Sequence, residues 1–173
     1  TGLAVWKYLA TGAAEHRVRV SKDKSDFRRF RAEYDRLATT GVERDLGQRL
    51  DALYEPYSGL SDVLMDTRDQ FVSLLREATE TFDAIDRILD DSIQPGIEPT
   101  APEDVAKLLT STALEADVAE SGAWLGIYVA DPANDHRERI LGSTREARDQ
   151  LTAFQELELT PEERIHAARI QGL

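Results

Sequence analysis

The sequence predicts an all-α protein, and three observations carry that expectation. Ala, Leu, Arg, Glu and Asp dominate, while strand-like alternation hardly extends beyond "RVRV" at Arg17 to Val20. Between Leu46 and Ile88, apolar or small residues recur at steps that alternate four and three, the seam of a helix packed lengthwise on others. Thr40 and Glu43, Thr100 and Glu103, and Thr160 and Glu163 repeat the spacing of a capping box, in which a hydroxyl and a carboxylate satisfy the free amides of a first turn.

Composition narrows the function classes. With 173 residues, 41% of them hydrophobic, the chain can build one or two compact cores. A formal net charge of −12 opposes broad binding to nucleic-acid phosphates or to anionic lipid. The absence of cysteine removes a disulfide framework, a thiolate zinc site and a cysteine nucleophile, and suits the cytosol and a bacterial periplasm alike. The chain opens on Thr1 and its only methionine is Met65, which suggests a processed chain or a piece of a longer one. The longest apolar stretch, Gly122 to Ala130, falls well short of the roughly 18 residues a membrane span needs.

Taken in order, a short first helix leads through "YLATG" to a second helix. On that second helix Phe27, Phe30, Tyr34 and Leu37 form a stripe expected in the core. A long helix is expected from Gly41 to Ile93, roughly 80 Å at 1.5 Å per residue. Pro56 should kink it without breaking it, because the seam keeps its phase on both sides. Three prolines and a glycine in "IQPGIEPTAP" then forbid helix. Pro102 suits an early helical position, and the next helix should end before Pro132. Another is expected from Asp135 to Leu157, and "LTPEERI" starts the last.

Sliding the chain by 120 residues lays 5–50 over 125–170 without a gap. The overlay gives 12 identities in 46 pairs, where random pairing would give about 3. Among them are Tyr8/Tyr128, His16/His136, Arg17/Arg137, Arg19/Arg139, Arg28/Arg148, Thr40/Thr160 and Glu43/Glu163. The repeating unit reads as helix, turn, helix, turn and the start of a long helix. A faithful repeat implies roughly 20 further residues in front and about 40 behind. The expected architecture is elongated: two stacked four-helix-bundle modules sharing long helices, with both chain ends at one pole. Residues 1–66 would form one, incomplete, module and 67–173 the other, within a single domain.

The duplicated "AEHRVRV" and "NDHRERI" turns hold the best candidates for binding. Arginine offers a planar fork matched to a carboxylate, and a neighbouring histidine can add charge. Candidate ligand residues are therefore Tyr8, His16, Arg17 and Arg19 in one copy, and Trp124, Tyr128, His136, Arg137 and Arg139 in the other. Trp6 could help to wall an apolar pocket. The competing reading is structural: Glu15 and Asp135 occupy first turns, and the basic residues pair within their helices on a wet face. Glu163 and His166 have the spacing of a di-iron ligand pair, but the repeat partner of His166 is Leu46, so no metal is expected. No nucleophile-elbow pattern occurs, Asp90 and Asp91 read as solvated charge, and neither catalysis nor a cofactor is expected.

The "YLATG" turn followed by "EHRVRV", the duplicated "TTGVERDL" and "LTPEERIH" starts and the heptad seam between them resemble a known class. It is that of the all-helical extracytoplasmic sensor domains of bacterial histidine kinases and chemoreceptors, with the helical bimodular type closest in layout. The resemblance implies a periplasmic domain of an inner-membrane protein. Such a domain binds a small solute, often a carboxylate or other anion, pairs as a homodimer and passes a small helix displacement across the membrane. A two-component sensor kinase is the leading expectation. A chemoreceptor sensor domain and a cytosolic helical scaffold stand as alternatives.

Overall fold

The computed structural model describes all residues, 1–173, and is entirely helical. Its α-helices are α1 (Gly2–Thr11), α2 (Ala14–Leu37), α3 (Gly41–Ile88), α4 (Pro102–Ala130), α5 (Asn134–Gln155) and α6 (Pro161–Gln171). Helix α3 runs unbroken through Pro56. It stops five residues earlier than expected, passing into a π turn at Leu89–Ile93 and a 3₁₀ turn at Gln94–Gly96. Pro95 has no amide to donate and crowds the carbonyl four residues before it, which ends the regular ladder. No helix is long and apolar enough to cross a membrane.

Thr1–Leu75 and Arg76–Leu173 each form a compact unit. Within the first, Tyr8 and Arg17 both bond Asp69 on α3. Charge divides unevenly. The first unit carries 12 basic and 12 acidic residues and the second 9 and 21, so the whole net charge of −12 falls on the second.

In the first unit, α1 turns into α2 at Gly12, whose φ of 67° belongs to the left-handed region and whose amide donates to the Tyr8 carbonyl at 2.7 Å. A Cβ at this position would also overlap the Arg68 guanidinium. Gly12→Ala should therefore cost about 1–2 kcal/mol from the backbone alone. A urea titration should show a lower midpoint at an unchanged slope.

The apolar core here is small: Ala4, Val5, Tyr8, Val20 and Met65. Most of the α2–α3 contact is polar. Lys24 is buried and its Nζ donates to the Ser58 carbonyl and to Asp62, both at 2.7 Å. Arg31 donates to the Gly47 carbonyl at 3.1 Å and to Asp51 at 2.9 Å. Gly47, Ser58 and Ser61 leave the room on α3 that these long side chains fill.

Two expectations are corrected by this arrangement. The α2 stripe is only partly internal: Phe27 stacks on Tyr54 with ring centroids 3.5 Å apart, but Phe30 and Leu37 are 59% and 71% exposed. The inward face of α2 instead runs through Val20, Lys24, Phe27, Arg31 and Tyr34, so two cations occupy core-facing positions that hydropathy assigns to the surface. Likewise, the face of α3 turned toward α2 carries Gly47, Tyr54, Ser58, Ser61 and Met65, and the heptad seam from Leu46 to Leu74 is exposed.

The second unit has the larger core. Ile88, Leu89, Ile93 and Ile97 meet Leu114 and Val118 of α4, Leu151 and Phe154 of α5, then Leu159, Ala167 and Ile170. Helices α4 and α5 approach closely where Ser121 and Ser143 meet, their hydroxyls 2.9 Å apart and each bonded to a carbonyl four residues back. Helix α6 starts with the expected reciprocal cap: the Glu163 amide donates to Thr160 Oγ1 at 3.2 Å, and the Thr160 amide to Glu163 at 2.6 Å. At α4 the cap lies one residue later than expected. Asp104 accepts from the Ala101 amide at 3.3 Å, and Ala101 has no side-chain oxygen to return the bond.

Candidate ligand site

Three places hold the chemistry that a ligand could use. The first is the α1–α2 corner. Tyr8 is buried, and its hydroxyl donates to the Asp69 carboxylate at 2.6 Å. Arg17 bonds the same carboxylate at 2.5 Å and also pairs with Asp66. The Arg17 and Arg68 guanidinium carbons stand 5.6 and 5.5 Å from the Tyr8 ring centre. The Tyr8 hydroxyl, the Arg68 fork and the positive charge of Arg17 hold the Asp69 carboxyl below the usual carboxylate range. Arg17 is thus already neutralised, so an anion entering here must displace a carboxylate of the chain itself. His16 sits 4.0 Å from Glu15, and Arg19 pairs with Asp23 at 2.8 Å within α2. Trp6 is exposed.

The second place is the α4–α5 corner. Arg139 lies over the Trp124 ring, 4.4 Å from its centre, and the His136 ring stacks beside that indole at 5.7 Å. His136 Nδ1 lies 2.9 Å from the Asp131 carbonyl, and Trp124 Nε1 donates to Glu120 at 2.9 Å. Tyr128 is half-buried on the same helix. Arg137 is exposed, its nearest anion being Glu138 at 3.4 Å. The structure therefore joins Tyr8 with Arg17, and Trp124 with His136 and Arg139, while Arg19 and Arg137 stay on the surface. Corresponding arginines of the two turns, Arg17 and Arg137, have different surroundings.

The third place is a groove of about 460 Å³ in the second unit, between the end of α3, the middle of α4, the second half of α5 and the end of α6. Phe82, Ile85, Leu114, Val118, Leu151 and Ile170 form its apolar lining. Thr81, Thr144, Thr152, Gln155 and Gln171 supply neutral hydrogen-bonding groups. Arg148 is the one charged residue of the lining; it is exposed, and its guanidinium has no bond or ion pair. A free fork beside an apolar floor can take an anionic group while the floor takes a hydrocarbon body.

In the sequence Arg148 stands out only as the counterpart of Arg28 at the 120-residue shift, and Asp66 and Asp69 are not among the candidates. The two acids lie three residues apart on α3, a spacing that puts both on one helix face opposite a basic turn. For the groove no comparable local signal exists, since its lining comes from four helices.

Asp86, Asp90 and Glu115 bring carboxylate oxygens within 4.8 Å of one another, and burial with the repulsion of Glu115 and Asp86 raises Asp90 above the usual range. Asp90 and Asp91 are both exposed, as expected of solvated charges near a helix end. Glu163, half of the di-iron-like pair, is taken up by Lys107 and by its cap to Thr160.

No family model, no curated protein and no solved structure matches this chain.

Proposed function

We propose that this chain is the extracytoplasmic ligand-sensing domain of a two-component sensor histidine kinase, and that its ligand is a small organic acid with an apolar body held in the groove of the second unit. The observation that carries the ligand class is the unpaired Arg148 guanidinium beside an apolar floor of a few hundred Å³, within the range of small-molecule sites. Helix starts that recur at a fixed spacing support the sensor reading. Helices α2 and α5 begin at Ala14 and Asn134, and α3 and α6 at Gly41 and Pro161, each pair 120 residues apart, and the later pair share a reciprocal threonine–glutamate cap. A solute bridging α4, α5 and α6 would favour one packing of these helices over another. A displacement of about 1–2 Å suffices as a signal where packed helices have two alternative seatings.

Isothermal titration with hexanoate, benzoate and their neutral amides tests the ligand class. Saturable binding of a carboxylate and a weaker response to its amide are expected. Arg148→Gln should weaken the carboxylate about tenfold or more, the loss of one charge-assisted pair. Binding that Arg148→Gln leaves unchanged rejects the groove assignment. Arg17→Ala and Arg137→Ala serve as comparisons, since loss of binding there returns the site to the repeated turns. For the sensor reading, the domain is exchanged into a kinase whose own sensor has been removed, and ligand-dependent phosphorylation is measured.

A further inference from the structure

Arg148 is the only charged residue lining the groove of the second unit, so a ligand that spends a carboxylate there needs a neutral far end. The lining offers no second cation for another carboxylate and no carboxylate for an ammonium, and a charge held against the apolar floor without a partner is costly. Neutral polar groups lie in two directions along α5. Toward its start is Thr144, whose hydroxyl stands 3.4 Å from that of Ser121 on α4. Ser121 is 1% exposed and is already bonded to the Asp117 carbonyl and to Ser143, both at 2.9 Å, so this end is satisfied from within. Toward the end of α5 lies Gln155, two turns from Arg148 and about 10 Å along the same face, with Leu151 between them. Thr152, one turn from Arg148, spends its hydroxyl proton on the Arg148 carbonyl at 2.9 Å. Gln155 Nε2 donates to Gln171 Oε1 on α6 at 3.2 Å. A carboxamide carries both a donor and an acceptor, so this bond leaves Gln155 Oε1 to accept and Gln171 Nε2 to donate, side by side at the groove edge.

We propose that the ligand of this groove is an acid whose apolar body ends in an amide group, with the carboxylate on Arg148 and the amide on the Gln155–Gln171 pair. This rests on the groove being the ligand site. The amide carbonyl accepts from Gln171 Nε2, and the amide N–H donates to Gln155 Oε1, so each group left over by the glutamine pair finds its complement. An ester or ketone supplies only the acceptor, and its oxygen leaves Gln155 Oε1 without a proton. Leu151 and Ile170, both in the floor, take the apolar stretch between the two polar ends. Diacids and amino acids are excluded by the single charge of the lining, whereas ω-amido acids and short apolar peptides share the required chemistry. The two glutamines belong to different helices, so an amide in this place also ties the end of α6 to α5. An acid without the amide makes no such link, and Gln155 and Gln171 thereby set both the specificity of the groove and the seat of the last helix.

Isothermal titration of the full chain with hexanoate, ε-acetamidohexanoate and ε-acetoxyhexanoate tests this assignment. The acetamido acid should bind about tenfold tighter than hexanoate, the gain from two further hydrogen bonds, and the acetoxy ester, which lacks the N–H, should keep less than half of that gain on a logarithmic scale. Gln155→Leu, and separately Gln171→Leu, should bring the acetamido acid down to the affinity of hexanoate for the same variant, whereas Arg148→Gln should weaken both acids by a similar factor. Hydrogen exchange at the backbone amides of Ala167 to Gln171 should slow more with the acetamido acid than with hexanoate at equal saturation. N-acetyl-trialanine separates the two sources: binding tighter than the acetamido acid indicates a peptide, and weaker binding indicates an ω-amido acid. Equal affinities for hexanoate and the acetamido acid, where hexanoate binding depends on Arg148, overturn this inference and leave the groove assignment standing. If no acid binds in a way that depends on Arg148, the groove assignment falls and this inference falls with it.

Discussion

Truncating Phe154 to alanine should destabilise the second unit by about 3–5 kcal/mol, as removal of a fully buried aromatic ring does. Phe154 is 1% exposed, in the last turns of α5, and belongs to the cluster formed by Ile88, Leu89, Ile93, Leu114, Val118 and Ile170. Those neighbours come from α3, the π turn, α4 and α6, which are fixed by their own packing and cannot all close over the space. Phe154→Leu keeps much of the volume and should cost less than about 1.5 kcal/mol. Phe30→Ala, at a position 59% exposed, should change stability by no more than about 0.5 kcal/mol. Urea unfolding followed by Trp124 fluorescence for the second unit and by far-ultraviolet dichroism for the whole chain checks all three. Equal losses for Phe154→Ala and Phe30→Ala would contradict this account of the core.

The helix inventory was legible because its signals are local. Capping pairs, prolines and a glycine with positive φ depend on a few consecutive residues, and the observed limits of α4 and α5 and the start of α6 lie within two residues of those expected. Sidedness was not legible. Tyr34 and Phe154 pair when the sequence is laid over itself at a shift of 120 residues, yet Phe154 is in the core and Tyr34 spends its hydroxyl on the Glu43 carbonyl at 2.9 Å. Hydropathy assigns Lys24 and Arg31 to solvent because it scores a side chain alone, without the carbonyl and carboxylate that await it across the helix pair. The same limit explains the seam of α3. Its spacing predicts a packing face, yet Leu46 to Leu74 along it are exposed, because spacing carries no information on what lies opposite. Of the candidate site residues, those with aromatic neighbours were brought together, since Tyr8 and Trp124 anchor Arg17 and Arg139 in place. Arg148 was missed because a groove between four helices is a property of long-range packing.

Replacing Lys107 with methionine should cost about 2–3 kcal/mol at neutral pH, more than the loss of any surface pair, because it strands a largely buried carboxylate. Lys107 and Glu163 lie 3.1 Å apart with side chains only 8% and 11% exposed. Burial alone would push the Glu163 carboxyl up, but the Thr160 amide and the Lys107 ammonium outweigh it and hold that carboxyl below its ordinary value. The folded protein therefore releases this proton more readily than the unfolded chain. The resulting stability is fully present above the ordinary glutamate value of about 4.3 and is lost as pH falls through the lower folded value. Asp117 has the opposite sign. Burial, then Glu146 and Glu120, raise its carboxyl, so its contribution favours folding on the acid side and is lost as pH rises through the raised value. Asp117→Asn should remove this opposing slope and sharpen the acid loss due to Glu163. In Lys107→Met, burial is left to act against Thr160 alone, so the acid limb should flatten. Lys107→Met with Glu163→Gln should recover part of the lost stability, since the double variant leaves no charge without its partner, and the glutamine can still serve the cap. Stability measured by urea titration from pH 3 to 7 decides the matter. An acid limb in Lys107→Met as steep as that of the parent would show that the ammonium does not set the Glu163 proton affinity, and that the pair is held together by packing alone.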